Sequence, residues 1–381
     1  MRYFLIAGEA SGDLQGADLM AGLRKKDPYA VFRYFGGDYM QEQGGALIKH
    51  YKELDFMGFK EVVANLNQVF NNLRDCKREI LHFKPDVVIL IDYPGFNLRI
   101  AKYAKKKGFR VNYYISPKIW AWKESRIKKI KKYVDRMFVI LPFEVDYYQK
   151  FNFPVTYEGH PHIDMIRRRV MSNKELTDFR EANNISEQPV IALLPGSRKQ
   201  ELDKVLPVMM SVVDQYPDHQ FLIAATSHIS MDYYRELTPD HERVKIIPGK
   251  TYEILQIAKA ALVTSGTATL ETALFGVPQV VCYKTSPLSY QIGKLLIDIS
   301  FISLVNLIME KEVVKEFIQN DLNPNRLKNE LDALLYDEDY KNQILKLYQE
   351  LRNKLGQGDA PERIAGHIYA DLENSNEKAR L

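Results

Sequence analysis

No apolar run in this 381-residue chain reaches the ~18 residues that a membrane-spanning helix requires. Cysteine is nearly absent. Cys76 and Cys282 stand far apart, and Cys282 lies in an apolar, strand-like run. That excludes a disulfide framework and leads to the expectation of reduced core thiols in the cytoplasm. The dinucleotide fingerprint G-x-G-x-x-G is missing, which disfavours a nicotinamide oxidoreductase. The turn Gly8-Glu9-Ala10-Ser11-Gly12-Asp13 is not a P-loop either, because no Gly-Lys-Ser/Thr follows it. Metal-ligand spacing is wanting: of the 8 histidines only His160 and His162 are close, and Pro161 stiffens that pair. The string Asp337-Glu338-Asp339 falls in a charged helical region and reads as a solvated face. There is no internal repeat and no low-complexity segment. Met1–Gly8 turns polar too soon for a signal peptide and is expected to be a first strand.

What is present fits a soluble globular protein, with 46% hydrophobic and 27% charged residues. At ~150 residues per domain the length suggests two domains. The net charge of +4 is unevenly placed. Lys102, Lys105, Lys106, Lys107 and Arg110 form one basic cluster, and Lys123, Arg126, Lys128, Lys129, Lys131, Lys132 and Arg136 another. Such runs read as solvated helix faces, or as a surface for anionic lipid or a phosphorylated substrate. No recognition motif accompanies them, so nucleic acid is not an expected partner.

Short apolar strands alternate with amphipathic helices. Strands are expected at Tyr3–Ala7, Val87–Ile91, Arg110–Ile115 and Met137–Leu141. The series restarts at Val190–Leu194, Gln220–Ala225, Val244–Ile247, Ala261–Thr264 and Gln279–Tyr283. Helices are expected at Leu14–Lys26, Leu98–Lys107 and, last, Pro361–Leu372, with Asn374–Leu381 frayed. The expected fold class is α/β: two Rossmann-like, doubly wound parallel-sheet domains facing a cleft. Domain one is placed at 1–172, completed by the C-terminal helix at 359–381, and domain two at 173–358.

Every chemically suggestive segment falls at a strand's carboxyl end, where open parallel sheets bind ligands. Ala261–Thr264 runs into the small residues Ser265-Gly266-Thr267-Ala268-Thr269, which open a helix with Glu271 one turn in. N–H groups at such a start attract phosphate, and a carboxylate at Glu271 suits a ribose. Upstream, Leu194 leads into Pro195-Gly196-Ser197-Arg198, whose guanidinium can clamp a diphosphate. Together these ends suggest a nucleotide-diphosphate site. Asp92, before Pro94, reads equally as a turn residue and as a general base at a cleft edge. Ser11 and Asp13, in the turn after the first strand, read as helix caps.

The ordered set Gly8–Asp13, Met57-Gly58 with Glu61-Val62, Ser116-Pro117 with Trp120-Ala121-Trp122, and Leu141-Pro142-Phe143-Glu144 continues with further segments. These are Gly159-His160-Pro161, Leu193–Arg198, Ser265–Glu271, and Ser303-Leu304 with Asn306-Leu307. The whole set resembles the bacterial lipid-A-disaccharide synthases, inverting glycosyltransferases of the GT-B fold found in Gram-negative bacteria. The departures are Gly95, where the family often has a second acid, and Val305, where proline is common. The resemblance implies transfer from UDP-2,3-diacylglucosamine to the 6-hydroxyl of 2,3-diacylglucosamine 1-phosphate, giving lipid A disaccharide 1-phosphate and UDP. It implies Asp92 as base, and Gly196, Ser197, Arg198, Gly266, Thr267, Ala268, Thr269, Glu271 and Asn306 around UDP-sugar. Gly8, Glu9, Ser11 and Asp13 fall on the acceptor side. It implies no cofactor and no metal, peripheral association with the cytoplasmic face of the inner membrane, and leaves room for a homodimer. The alternative is another UDP-sugar-dependent GT-B glycosyltransferase or a sugar-nucleotide epimerase. A non-catalytic, UDP-binding peripheral membrane protein is a third reading. For the membrane surface the chain offers a helically spaced apolar stripe: Phe59, Val62, Val63, Leu66, Val69, Phe70 and Leu73.

Overall fold

The computed structural model describes residues 1–54, 66–226, 228–238, 240–287, 290–291 and 300–380. The chain divides into two compact units, Met1–Pro161 with Gly356–Leu381, and His162–Leu355. Each is a parallel sheet flanked by helices, the α/β class expected from the alternating pattern. In unit 1 the strands are β1 (Arg2–Ala7), β2 (Val31–Gly36), β3 (Ala46–His50), β4 (Val87–Ile91), β5 (Arg110–Tyr114), β6 (Arg136–Val139) and β7 (Thr156–Tyr157). They lie in the order β3-β2-β1-β4-β5-β6-β7. In unit 2 they are β8 (Val190–Leu194), β9 (Gln220–Ala225), β10 (Val244–Pro248), β11 (Ala258–Thr264), β12 (Gln279–Tyr283) and β13 (Glu316–Ile318). Their order is β10-β9-β8-β11-β12-β13.

The central strands are apolar throughout because helices cover both faces of the sheet. All five residues of β4 and all five of β8 are buried. What matters for function is where the strand order reverses. In unit 1 β1 pairs with both β2 and β4; in unit 2 β8 pairs with both β9 and β11. At such a switch point the helices leave to opposite faces and open a crevice beyond the strand ends. Gly8 follows β1 and Asp92 follows β4. Gly196 follows β8 and Gly266 follows β11. Both candidate clusters therefore sit at switch points.

Two expectations are corrected. The boundary falls at Pro161–His162 rather than at 172, because the intervening residues pack on unit 2: the Met171 N–H donates to Gln256 Oε1 at 2.7 Å, and Tyr252 reaches Met165 Sδ at 3.5 Å. The last helix runs Ala360–Arg380 rather than fraying after Leu372. Ile364, Ile368 and Leu372 enter the unit 1 core, and Arg110 donates to Asp371 O at 2.8 Å and Ser375 Oγ at 2.9 Å. Asp337, Glu338 and Asp339 are all exposed, as expected of a solvated face, and Asp337 also caps the helix Glu338–Leu355, its Oδ1 accepting from the Tyr340 N–H at 3.0 Å.

Candidate functional site

Unit 2 carries a cavity of about 440 Å³ at its switch point. Two segments some seventy residues apart line it together, Leu194–Arg198 with Glu201 and Thr264–Ala268 with Glu271. Ala224, Thr226 and Thr251 complete the wall. Gly196, Ser197, Arg198, Gly266, Thr267, Ala268 and Glu271 thus meet as the sequence suggests.

The two strand ends do different work. At the first, Gly196 has φ +106, and a Cβ there would lie 2.5 Å from Glu201 Oε2, so the turn admits only glycine. The N–H groups of Ser197 and Arg198 donate to that same oxygen at 3.1 and 3.3 Å. They are not an open cradle for phosphate. Glu201 already fills it. What this end presents is the Arg198 side chain, 73% exposed, with Nη1 at 3.6 Å from Glu201 Oε1.

At the second end, Gly266 precedes the helix Thr267–Leu274. The first N–H groups of a helix have no partner within it, and here they border the cavity. Thr269 does not join them. It is fully buried, its hydroxyl donates to Gly266 O at 2.8 Å, and it accepts from the Leu304 N–H at 3.3 Å. Glu271 is held by two groups that sequence reading missed: the Tyr252 hydroxyl donates to Oε1 at 2.8 Å, and His162 Nε2 lies 3.5 Å from the same atom.

Asn306 lies outside the cavity. It is fully buried, its Oδ1 accepts from the N–H groups of Val313 and Val314 at 2.7 and 3.0 Å, and its Nδ2 donates to Val314 O and Glu316 Oε1. All its polar capacity is spent, so its place is to fold the 302–316 segment and not to touch a sugar nucleotide. That segment in turn backs the second strand end, since Ser265 Oγ donates to Ile302 O at 2.8 Å.

In unit 1, Asp92 ends β4 with φ +44, and Tyr93 follows with φ +45. Left-handed backbone at two consecutive non-glycine residues costs of order 1–3 kcal/mol each and clusters at functional sites. The turn is overdetermined. The Asp92 N–H donates to Tyr114 O at 3.0 Å, and the Asp92 carbonyl accepts from Tyr113 Oη at 2.5 Å and Asn97 Nδ2 at 2.8 Å. Gly8 leaves room for the Tyr93 ring, which a Cβ would meet at 2.3 Å. The carboxylate makes none of these three bonds. Burial pushes its pKa up, opposed by the Lys118 charge and the Tyr93 N–H.

Of the acceptor-side set, Glu9 is half-buried at the start of the helix Ala10–Lys26 and Ser11 is exposed. Asp13 is corrected. It is buried and accepts from the N–H groups of Gly37, Tyr39 and Met40 at 2.7, 3.0 and 3.1 Å, so it caps the helix Asp38–Glu42 and cannot bind an acceptor. The S-P…W-A-W and L-P-F-E motifs prove to be one network. Buried Glu144 accepts from Ser116 Oγ at 2.5 Å, Trp120 Nε1 at 3.2 Å and the Leu141 N–H at 3.1 Å, which pins the turn after β5.

Met57-Gly58, Glu61-Val62, Phe59 and Val63 lie outside the described residues, as does the Leu66 side chain. Of the apolar stripe, Leu73 is core and Val69 packs against it, whereas Phe70 is 62% exposed. The basic clusters are also divided in role. Lys105 pairs with Asp135 and Arg136 with Asp371.

The family model described as lipid-A-disaccharide synthetase matches residues 3–366. The lipid-A-disaccharide synthase of Coxiella burnetii (strain CbuG_Q212) is 40% identical over 370 residues, spanning 96% of this chain and 97% of that one. Its counterpart in Geobacter sulfurreducens is 37% identical over 376 residues, spanning 97% of each. Among solved structures, UDP-GlcNAc 2-epimerase from Neisseria meningitidis bound to UDP-GlcNAc aligns with a TM-score of 0.70 at 13% identity, over 97% of this chain and 99% of that one. The calicheamicin glycosyltransferase CalG4 aligns with a TM-score of 0.61 at 13% identity, over 98% of each. At such identity these structures are similar in fold alone.

Proposed function

The chain belongs to the lipid-A-disaccharide synthetase family, and from that premise we propose that it condenses UDP-2,3-diacylglucosamine with 2,3-diacylglucosamine 1-phosphate. It is then a hexosyltransferase of lipid A biosynthesis, releasing UDP and a β-1,6-linked disaccharide 1-phosphate. The observation that carries the reading is the meeting of Arg198, the Gly266 helix start and Glu271 in one cavity at a switch point. Asp92 takes the proton from the acceptor 6-hydroxyl as that oxygen attacks the donor's anomeric carbon. The bond from that carbon to the diphosphate breaks on the opposite face, which inverts the configuration. The Thr267 and Ala268 N–H groups and Arg198 receive the charge that gathers on UDP, and Glu271 holds the ribose. Unit 1 is the acceptor domain in this reading and unit 2 the donor domain. The test compares donors: UDP-2,3-diacylglucosamine should be consumed and UDP-N-acetylglucosamine, which lacks both ester- and amide-linked long chains, should be used poorly. Equal use of both would point to a different glycosyltransferase.

Glu201 shapes the donor site in this reading by holding the Gly196–Arg198 turn. Glu201→Ala removes two hydrogen bonds to backbone N–H groups, each worth about 1 kcal/mol. UDP affinity measured by calorimetry should fall several-fold. Glu201→Gln, whose amide oxygen still accepts both, should recover most of it.

We also propose peripheral attachment to the inner membrane. Among the described residues no helix is long and apolar enough to cross it. A groove of about 1030 Å³ runs between the helices Leu66–Phe83 and Pro94–Lys106, floored by Leu73 and Leu98 beside exposed Phe70 and Leu81. Its rim carries Arg74, Lys77, Arg99, Lys102, Lys106 and Lys129. Each such cation near an anionic surface contributes about 1 kcal/mol, screened by salt. Co-sedimentation with anionic liposomes should weaken as salt rises and weaken further in Phe70→Ser. Salt-independent binding would place the attachment elsewhere.

A further inference from the structure

The turn after β5 presents an unusual surface. Trp122 is 44% exposed, with Lys123 Nζ 3.9 Å from its ring centroid and the Arg126 guanidinium carbon at 5.5 Å. Among the described residues no carboxylate pairs with either cation. Glu124, which stands between them, instead accepts from the Tyr147 hydroxyl at 3.1 Å. An aromatic ring edged by two cations that lack an internal counter-charge is arranged for an external anion.

Its place in the fold says which anion. β5 is the hydrogen-bonded neighbour of β4, so this turn lies beside Asp92 at the same end of the sheet. Tyr113 on β5 senses both groups: Asp92 pushes its hydroxyl pKa up and Arg126 pulls it down. Left-handed backbone recurs here, at Ile115 with φ +62 and Lys123 with φ +57. For β-branched Ile115 that is a genuine strain, sustained by the Glu144 network that pins the turn. In a hexosamine 1-phosphate the 6-hydroxyl, carried on C5 through C6, and the phosphate on C1 flank the ring oxygen and are separated by several bonds. A base on one strand end therefore requires the phosphate site to be beside it, not on it. The β5 turn meets that requirement.

We infer that Trp122, Lys123 and Arg126 bind the anomeric phosphate of the acceptor, with the indole as a platform for the sugar beside it. This rests on the reading of Asp92 as the base. Arg126 supplies the planar fork that matches two phosphate oxygens and Lys123 a compact charge. Lys118, whose charge acts on Asp92, is left to the base.

The test measures kcat/KM for the acceptor with and without its 1-phosphate, in the native enzyme and in Lys123→Gln/Arg126→Gln. The native enzyme should prefer the phosphorylated acceptor by at least tenfold. The double variant should lose that preference through a raised KM for the phosphorylated acceptor alone, with UDP affinity and melting temperature unchanged. A double variant that keeps the native preference overturns the inference. So does one that loses rate equally on both acceptors. If the native enzyme joins neither acceptor to the donor, the proposed function itself fails, and that outcome is distinct from either.

Discussion

Asp92→Asn is expected to lower kcat by ~10²–10⁴, the usual worth of a positioned general base, while UDP binding stays at the native level. The swap is nearly isosteric, and the turn is held by main-chain bonds that do not involve the carboxylate. In the proposed function UDP binds in unit 2, which the substitution leaves untouched. The pH profile gives a second readout. Burial raises the Asp92 pKa above that of an ordinary aspartate, so turnover should fall as pH drops through that raised value. Stability should move the other way. A carboxyl whose pKa is raised by folding favours the folded state in its protonated form, and that contribution is lost as pH rises through the folded value. At neutral pH the charged group is therefore a liability, and Asp92→Asn should melt above the native protein. Native turnover in Asp92→Asn would remove Asp92 from the mechanism.

Arg198→Ala is expected to weaken UDP binding roughly 10- to 150-fold, the equivalent of about 1.5–3 kcal/mol for a charged hydrogen bond. The expectation is larger than for an exposed ion pair because the turn's N–H groups are occupied by Glu201, leaving the guanidinium as that strand end's contribution to an incoming diphosphate. Arg198→Lys should recover only part, because a point charge replaces a fork. Transfer should slow in step, since the same group meets the charge on departing UDP. With cationic side chain and helix start supplying that charge, chelators should leave the rate unchanged. Strict dependence on added Mg²⁺ would contradict the assignment.

The sequence makes some of this plain and hides the rest for physical reasons. Strands buried on both faces are uniformly apolar, so β1, β4, β8, β9, β11 and β12 are visible as runs. β2 is not, because Arg33 interrupts it. In the fold that guanidinium lies 5.0 Å from the Phe83 ring centroid and 3.3 Å from Glu79 Oε2, neutralised by partners far along the chain. Edge strand β3 and short β7 and β13 bury too little to show a pattern. At the site, residue type was legible and direction was not. Gly196, Arg198, Gly266 and Glu271 reach the cavity. Asp13, Thr269 and Asn306 stand in equally suggestive motifs but turn inward, and nothing in a linear motif tells which way a polar side chain points. Glu201 escaped notice because its role depends on a glycine turn folding back over it. Tyr252 and His162 escaped because only the fold brings them to Glu271.

The most direct measurement supplies both acylated glucosamine substrates to the purified protein and follows the products by mass spectrometry, with proton NMR of the new linkage. The expected result is one UDP released for each disaccharide 1-phosphate formed, with the diaxial coupling of a β-linked sugar. Consumption of the UDP-sugar without a disaccharide, or an α-linked product, would contradict inverting transfer by this chain.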